Sequence, residues 1–188
     1  MSAAAAPLSR TTHRTPVGDL MLVASARGLR AIHWPDSSPS TDSLEAVRVA
    51  DHPILRQTIA QLDEYFAGTR RDFDIPLDLA GTPFQLAAWH ALADIPYGET
   101  TTYGRQARAL GMPNAARAVG SANRVNPVCI VLPCHRVVGA DGSLTGFAGG
   151  LERKRWLLDH ETALTAARSI DSWPSRYPVQ RRLSVPVA

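Results

Sequence analysis

The sequence predicts an α/β N-terminal domain, a small antiparallel sheet plus one helix, followed by a mainly α C-terminal domain with a helix-turn-helix. Three observations carry this. Alternating apolar runs broken by turn residues occupy Thr11 to Trp34. Apolar residues at helical spacing follow from Pro53. Past Gly81, short helical patterns with start and stop residues succeed one another.

Residues 1–9 read as a disordered leader. In the expected domain 10–80, Pro16-Val17-Gly18-Asp19 is a turn and Leu20 to Ala24 a strand. Ala26-Arg27-Gly28 is a second turn and Leu29 to Trp34 another strand. Pro35 to Ser43 is a polar loop. Pro53 to Phe66 is a helix with Ile54, Leu55, Ile59, Leu62 and Phe66 on one face, stopped by Gly68. Phe73 to Leu79 alternates apolar and acidic residues as an edge strand would. His13, His33 and His52 stand in no ligand spacing and read as structural.

The expected domain 81–164 opens with Thr82 as an N-cap and Pro83 at the first helical position. Phe84, Ala87, Ala88, Ala91 and Leu92 form the buried face, and Ile95-Pro96 ends the helix. Thr101 or Thr102 caps a short helix through Leu110, stopped by Gly111. Asn114 caps the next, Ala115 to Asn123. Two short helices so joined read either as a helix-turn-helix or as an ordinary helical hairpin. The second helix is slim: only Arg117, Val119 and Asn123 have bulk. It suits a narrow groove probed by Arg117, or close packing against another helix. Leu151 to His160 is a helix with Leu151, Trp156, Leu157 and Leu158 inward and Glu161 at its end. Residues 165–188 read as a disordered tail.

Composition excludes several classes. No apolar run is long enough to span a bilayer, and the start lacks a secretory pattern. Two cysteines make neither a disulfide framework nor a multi-cysteine zinc site, which favours a reducing cytoplasm. No metal and no cofactor are expected. Charge is unevenly spread. From Thr100 to Ala140 there is no acid, against Arg105, Arg108, Arg117, Arg124 and Arg136. That favours an anionic partner, nucleic acid being the usual one. Lys154 is the only lysine, so part of the signal is a general preference for arginine.

The chemistry centres on Val131-Leu132-Pro133-Cys134-His135-Arg136, at the end of the strand-like apolar run Val128 to Leu132. The thiolate is the nucleophilic form of cysteine, and a neighbouring His and Arg favour it. Taken alone, the pair reads equally as a buried Cys beside a structural His. Upstream, Asn126 before Pro127 can tie the turn there to the preceding helix pair. Downstream lies the Gly-rich stretch Gly139 to Gly150, with Phe147 as an aromatic wall.

Together, Tyr103-Gly104, Ala116-Arg117-Ala118-Val119-Gly120, Asn126-Pro127-Val128, Pro133-Cys134-His135-Arg136-Val137-Val138 and Gly146-Phe147-Ala148-Gly149-Gly150 resemble the alkylguanine-DNA alkyltransferase family. These are the methylated-DNA–protein-cysteine methyltransferases. The resemblance is dense from about Thr82 to Glu161 and looser before it. It implies a monomer acting on double-stranded DNA with alkylated bases, away from membranes. Cys134 resembles the acceptor for the alkyl group on the O6 of guanine, with O4-alkylthymine a candidate second substrate. His135 resembles the base that reaches Cys134 through a water, and Glu161 the carboxylate that orients it. Asn126 resembles the brace of the site turn, and Tyr103 the phenol that donates a proton toward guanine. Arg117 resembles the finger that fills the gap left by a flipped base, on a DNA-binding helix that includes Ala116, Ala118 and Gly120. Val137, Phe147, Ala148 and Gly149 resemble the pocket lining. Family members often carry Tyr where Phe147 stands, so that hydroxyl is lost here.

The implied reaction is displacement at an sp³ carbon, which needs a thiolate and a protonated leaving group but no oxyanion hole. The base must leave the duplex, and the thioether product has no group to hydrolyse it. A sensor that binds alkylated DNA and recruits other repair machinery would lack the thiol that Cys134 provides. A Cys-His hydrolase would need an oxyanion hole. A helix-turn-helix regulator would carry a bulkier recognition helix and a dimer surface.

Overall fold

The computed structural model describes residues 7–49 and 51–168. Most of the expected leader and tail lies outside the described residues, but both boundaries shift. Ser9 already begins a strand, and 165–168 continue a helix.

Strands β1 (Ser9–Thr15), β2 (Gly18–Ser25) and β3 (Gly28–His33) form two antiparallel hairpins. The first turn is closed by the Thr15 hydroxyl donating to Gly18 O at 2.7 Å, with Gly18 at φ +109°. Left-handed backbone of this kind is where glycine carries no steric cost. The expected polar loop 35–43 ends instead in a short helix, α1 (Thr41–Glu45), because the Ser40 side chain accepts from Ser43 N. It delivers β4 (Val47–Arg48), which pairs parallel with β1. The sheet order is β3-β2-β1-β4, so the sheet is mixed rather than purely antiparallel.

Helix α2 (Pro53–Phe66) has the expected bounds, and Gly68 at φ +77° follows it. Leu55, Leu62 and Tyr65 are buried. The expected edge strand 73–79 does not form. Leu77 makes one isolated bridge to Leu29, fixed by Leu29 N to Pro76 O at 2.7 Å. Pro76 has no N–H to extend a ladder.

Helix α3 (Pro83–His90) starts with a full capping box between Thr82 and Gln85. Its buried side is Ala88 and Trp89, whereas Ala87 is exposed, and it ends earlier than expected, in a 3-10 turn, Ala91–Asp94, that buries Leu92. The Trp89 indole donates to Ala122 O at 2.8 Å, which rotates the buried face toward the later helices. Strand β5 (Thr101–Thr102) leads into α4 (Tyr103–Ala109), capped by Thr102. Residues 110–115 connect it to α5 (Ala116–Arg124). Asn114 is not the cap. Ala115 holds that position without a side-chain bond. A buried amide pair locks the helices: Asn123 Nδ2 donates to Gln106 Oε1 at 2.8 Å, and Gln106 Nε2 to Ala88 O at 2.9 Å.

The apolar run 128–132 is not a strand. It is a compact buried turn with Ile130 at φ +75° and one isolated bridge, Cys129 to Leu132. Its residues are apolar because they are enclosed on all sides. Strand β6 (Val137–Val138) follows and pairs parallel with β5. Helix α6 (Leu151–Arg168) is longer than expected, so Glu161 is internal to it. Leu151 is 49% exposed, while Lys154, Leu157 and Glu161 are fully buried. These three lie three and four residues apart on one helix face.

One apolar cluster runs through both halves, from Leu20 and Leu22 through Tyr65 and Trp89 to Val137 and Leu157. Ile32 N donates to Pro127 O at 2.7 Å, so β3 directly supports the turn before Cys134. Among the described residues, no helix is long and apolar enough to cross a membrane.

Candidate active site

Asn126 builds the turn from which the reactive residues emerge. Buried, it donates from Nδ2 to Leu132 O at 2.8 Å and accepts at Oδ1 from Val128 N at 3.1 Å. One side chain thus holds both ends of the enclosed turn. A 3-10 turn, Cys134–Arg136, follows Pro133 and drives Cys134, His135 and Arg136 inward. Cys134 is 3% exposed and His135 fully buried, so the pair lies beneath the surface rather than at a strand edge.

Glu161 is the hub under this turn. Its Oε1 accepts from Tyr65 Oη at 2.8 Å, His135 Nε2 at 2.9 Å and Arg136 Nη2 at 3.0 Å. Its Oε2 accepts from Gly98 N and Arg136 Nε, both at 2.9 Å. A carboxylate only accepts, so His135 is the donor in their bond and its proton sits on Nε2. Nδ1 then presents a lone pair, and it has no protein partner among the described residues. Burial holds the His135 pKa below the ordinary value, against the pull of Glu161. His135 is therefore a neutral base at pH 7. Burial alone would raise the Glu161 pKa, but the bonds from His135 and Arg136 outweigh it and bring it to about 2.

This has a pH consequence. The Glu161 pKa in the folded chain lies below its ordinary value of 4.5. Its contribution to stability is complete above that value and is lost as pH falls toward 2. The depression corresponds to about 3 kcal/mol. Urea unfolding repeated from pH 6 to pH 3 should show a falling midpoint in this window. A flat profile would show that the carboxylate contributes little.

Arg136 does not serve the thiolate, as the sequence suggested. Its guanidinium is used by Glu161 and by Ile95 O, at 2.6 Å. Support for Cys134 comes from elsewhere. The Cys129 thiol lies 3.8 Å away, sulfur to sulfur. Hydrogen bonding from Cys129 is the largest influence lowering the Cys134 pKa. Burial opposes it, and Asn126 and the Lys154 charge assist. Lys154 is buried, donates to Val137 O at 2.6 Å and Thr145 O at 2.7 Å, and is brought to about 8 by burial. Its ammonium lies 5.9 Å from the Tyr103 ring centre.

Tyr103 donates to Thr145 O at 3.0 Å, which ties α4 to the Gly-rich loop. Burial raises its pKa, so the phenol keeps its proton. A Cβ on Gly120 would stand 3.6 Å from the Tyr103 ring, so α5 backs the phenol closely. On α5, Arg117 and Ala118 are exposed, Ala116 and Gly120 are half-buried, and Val119 packs inward. Phe147 meets Trp34 edge-on at 5.6 Å between centroids. Gly149 is buried against both rings. A Cβ there would stand 2.6 Å from Trp34, so only glycine fits. Val137 is fully buried and Ala148 exposed.

The structure thus gathers Cys134, His135, Glu161, Asn126, Tyr103, Val137 and Phe147, with Arg117 standing outside on α5. Sequence reasoning missed Lys154, Tyr65, Trp34 and Cys129 as neighbours. The single lysine of the chain, on the same helical face as Glu161, was the available signal for the first. Among the described residues, no group of three or more His, Cys, Asp or Glu is placed to hold a metal ion.

The sequence model of the 6-O-methylguanine DNA methyltransferase DNA binding domain matches residues 83–163, and that of the ribonuclease-like domain matches residues 8–79. A methylated-DNA–protein-cysteine methyltransferase of Methanosarcina acetivorans is 43% identical over 147 residues, covering 78% of this chain and 94% of its own. The Mycobacterium leprae protein of the same name is 45% identical over 150 residues, covering 78% and 88%. The crystal structure of Mycobacterium tuberculosis O6-methylguanine methyltransferase is similar with a TM-score of 0.76 at 42% identity, over 83% of this chain and 93% of that one. The structure of Mycobacterium tuberculosis OGT in complex with DNA gives 0.77 at 43% identity, over 83% and 94%.

Proposed function

The chain belongs to the methylated-DNA–protein-cysteine methyltransferase family, and from that premise we propose that Cys134 is the residue that takes an alkyl group directly from the O6 of guanine in DNA. The carrying observation is Cys134 itself, held 3.8 Å from the Cys129 sulfur and preceding a neutral His135 oriented by Glu161. His135 Nδ1 takes the thiol proton through a water, and Glu161 steadies the resulting imidazolium. The thiolate attacks the alkyl carbon, the C–O bond breaks, and the electron pair leaves on the guanine oxygen. Tyr103, which keeps its proton, protonates the departing guanine. Val137, Phe147, Ala148 and Gly149 enclose the base. Residues 10–80 support a catalytic and DNA-binding unit over 81–164, which acts as a monomer in the cytoplasm.

The test is to incubate the protein with duplex DNA carrying O6-methylguanine and weigh the intact chain. One methyl per chain is expected, however much substrate is added. Repeated turnover would remove the suicide mechanism. The alkylated form should also be less stable. Cys134 is buried against Cys129 with no room between the sulfurs, and overpacking costs roughly 1–3 kcal/mol. The methylated protein should therefore melt lower and be cleaved faster by protease. An unchanged melting temperature would mean the site has slack.

Arg117 is proposed as the finger that holds the gap left by the flipped base, with Ala116, Ala118 and Gly120 letting α5 approach the groove. Unstacking costs a few kcal/mol, so Arg117→Ala should slow repair of duplex DNA by on the order of a hundredfold. Reaction with free benzylguanine, which needs no flipping, should change little. Equal losses on both substrates would rule out a finger.

A further inference from the structure

The two cysteines of the chain lie five residues apart, and the enclosed turn brings their side chains together. Both are free, both are buried, and their sulfurs stand 3.8 Å apart, in contact. The turn is fixed at its ends by Asn126, and the bridge between Cys129 and Leu132 aligns its arms. The thiols therefore face one another persistently. A disulfide needs its sulfurs at about 2 Å, so closing it takes an approach of about 2 Å from the resting contact. Cys129 also lines a cavity of about 530 Å³ together with Trp34, Asn126 and Ala148. A small oxidant in that cavity stands beside Cys129, whose sulfur is in contact with that of Cys134.

We propose that Cys129 is a resolving thiol, which captures Cys134 in a reversible disulfide when a peroxide oxidises it. The Cys134 thiolate attacks one peroxide oxygen, the O–O bond breaks, and hydroxide leaves and takes up a proton as water. This forms a sulfenic acid on Cys134. The Cys129 sulfur then attacks the Cys134 sulfur, the S–O bond breaks, and the departing hydroxide takes the Cys129 proton as a second water. Two thiols are oxidised and one peroxide is reduced. The disulfide suspends alkyl transfer while sparing Cys134 from the sulfinic and sulfonic acids, which thiols do not reverse. The consequence for repair rests on Cys134 being the acceptor; the disulfide does not.

The experiment treats the reduced full-length protein with hydrogen peroxide, blocks remaining thiols with N-ethylmaleimide and weighs the intact chain without reductant. The expected product has lost two hydrogens, carries no maleimide and remains a monomer. Dithiothreitol should return both thiols and nearly all reaction with benzylguanine. Cys129→Ser, or Cys129→Ala, should instead gain oxygens on Cys134 and recover little after dithiothreitol. Oxygen gain on the native chain without hydrogen loss, or disulfides only between chains, would overturn the proposal. Should either variant fail to fold, the native mass decides alone. A native chain that forms the disulfide yet never reacts with benzylguanine when reduced would uphold the resolving thiol and refute the acceptor assignment.

Discussion

Cys134→Ala is expected to reduce alkyl transfer to background while leaving affinity for duplex DNA nearly unchanged. The two effects separate because the thiol is buried, away from the surface groups that meet a duplex. Phosphate contacts that dominate affinity come from surface groups, and α5 exposes Arg124 as well as Arg117. Cys134→Ser should be equally inactive, since a hydroxyl does not ionise where a thiol does. Neither change should unfold the chain. Removing one sulfur from the Cys129 contact costs about 1 kcal/mol, an ordinary effect for a point substitution. The readings are the intact mass after incubation with methylated duplex and fluorescence anisotropy with undamaged duplex. Methyl found on Cys129 in the Ala variant would refute the assignment of Cys134. Cys129 is close enough for that test to be strict, at 3.8 Å from the acceptor sulfur. With Cys134 replaced, burial still raises the Cys129 pKa, so in that variant it stays a thiol and does not take over as the acceptor.

What was legible in the sequence follows from how local each cause is. Helix α2, the Thr82 N-cap and a cap at Thr101 or Thr102 were readable because caps and helical spacing act within one or two turns. The Asn126 brace came from resemblance: residue reading tied it to the preceding helices, whereas its partners are Val128 and Leu132 in the turn that follows. The run 128–132 was misread because an enclosed turn and a buried strand have the same apolar composition. Strand β4 depends on pairing with β1 far away in sequence, and β5 on pairing with β6, so neither leaves a local signal. The roles of Tyr103, Arg117 and Glu161 came from family resemblance, not from spacing. Lys154 and Arg136 illustrate a further limit. A lysine or arginine beside other charges reads as surface, and only partners more than a helical turn away show that each is buried.

Glu161→Ala should have the largest effect on stability of any single change in the site. It leaves the buried Arg136 guanidinium without its counter-charge and removes the acceptor for Tyr65, His135 and Gly98 at once. Breaking a buried pair by removing one partner costs about 3–5 kcal/mol. Against a total stability of about 5–15 kcal/mol, that brings the chain near its unfolding threshold. Glu161→Gln separates charge from shape. The amide keeps one acceptor oxygen but turns an NH₂ toward groups that themselves donate, so the Gln variant should lie between native and Ala in urea midpoint. Surviving Gln protein should also react more slowly at neutral pH, with its inactivation rate rising at higher pH than in the native chain. Without the carboxylate, the Nε2 proton of His135 is no longer fixed and Nδ1 is a weaker base for Cys134. Both variants should lose the fall in stability expected of the native chain below pH 4.5, because the ionising group behind it is gone. If Glu161→Ala unfolds at the native urea concentration, the hub is not what holds the turn, and the packing of Val137 and Leu157 must do so instead.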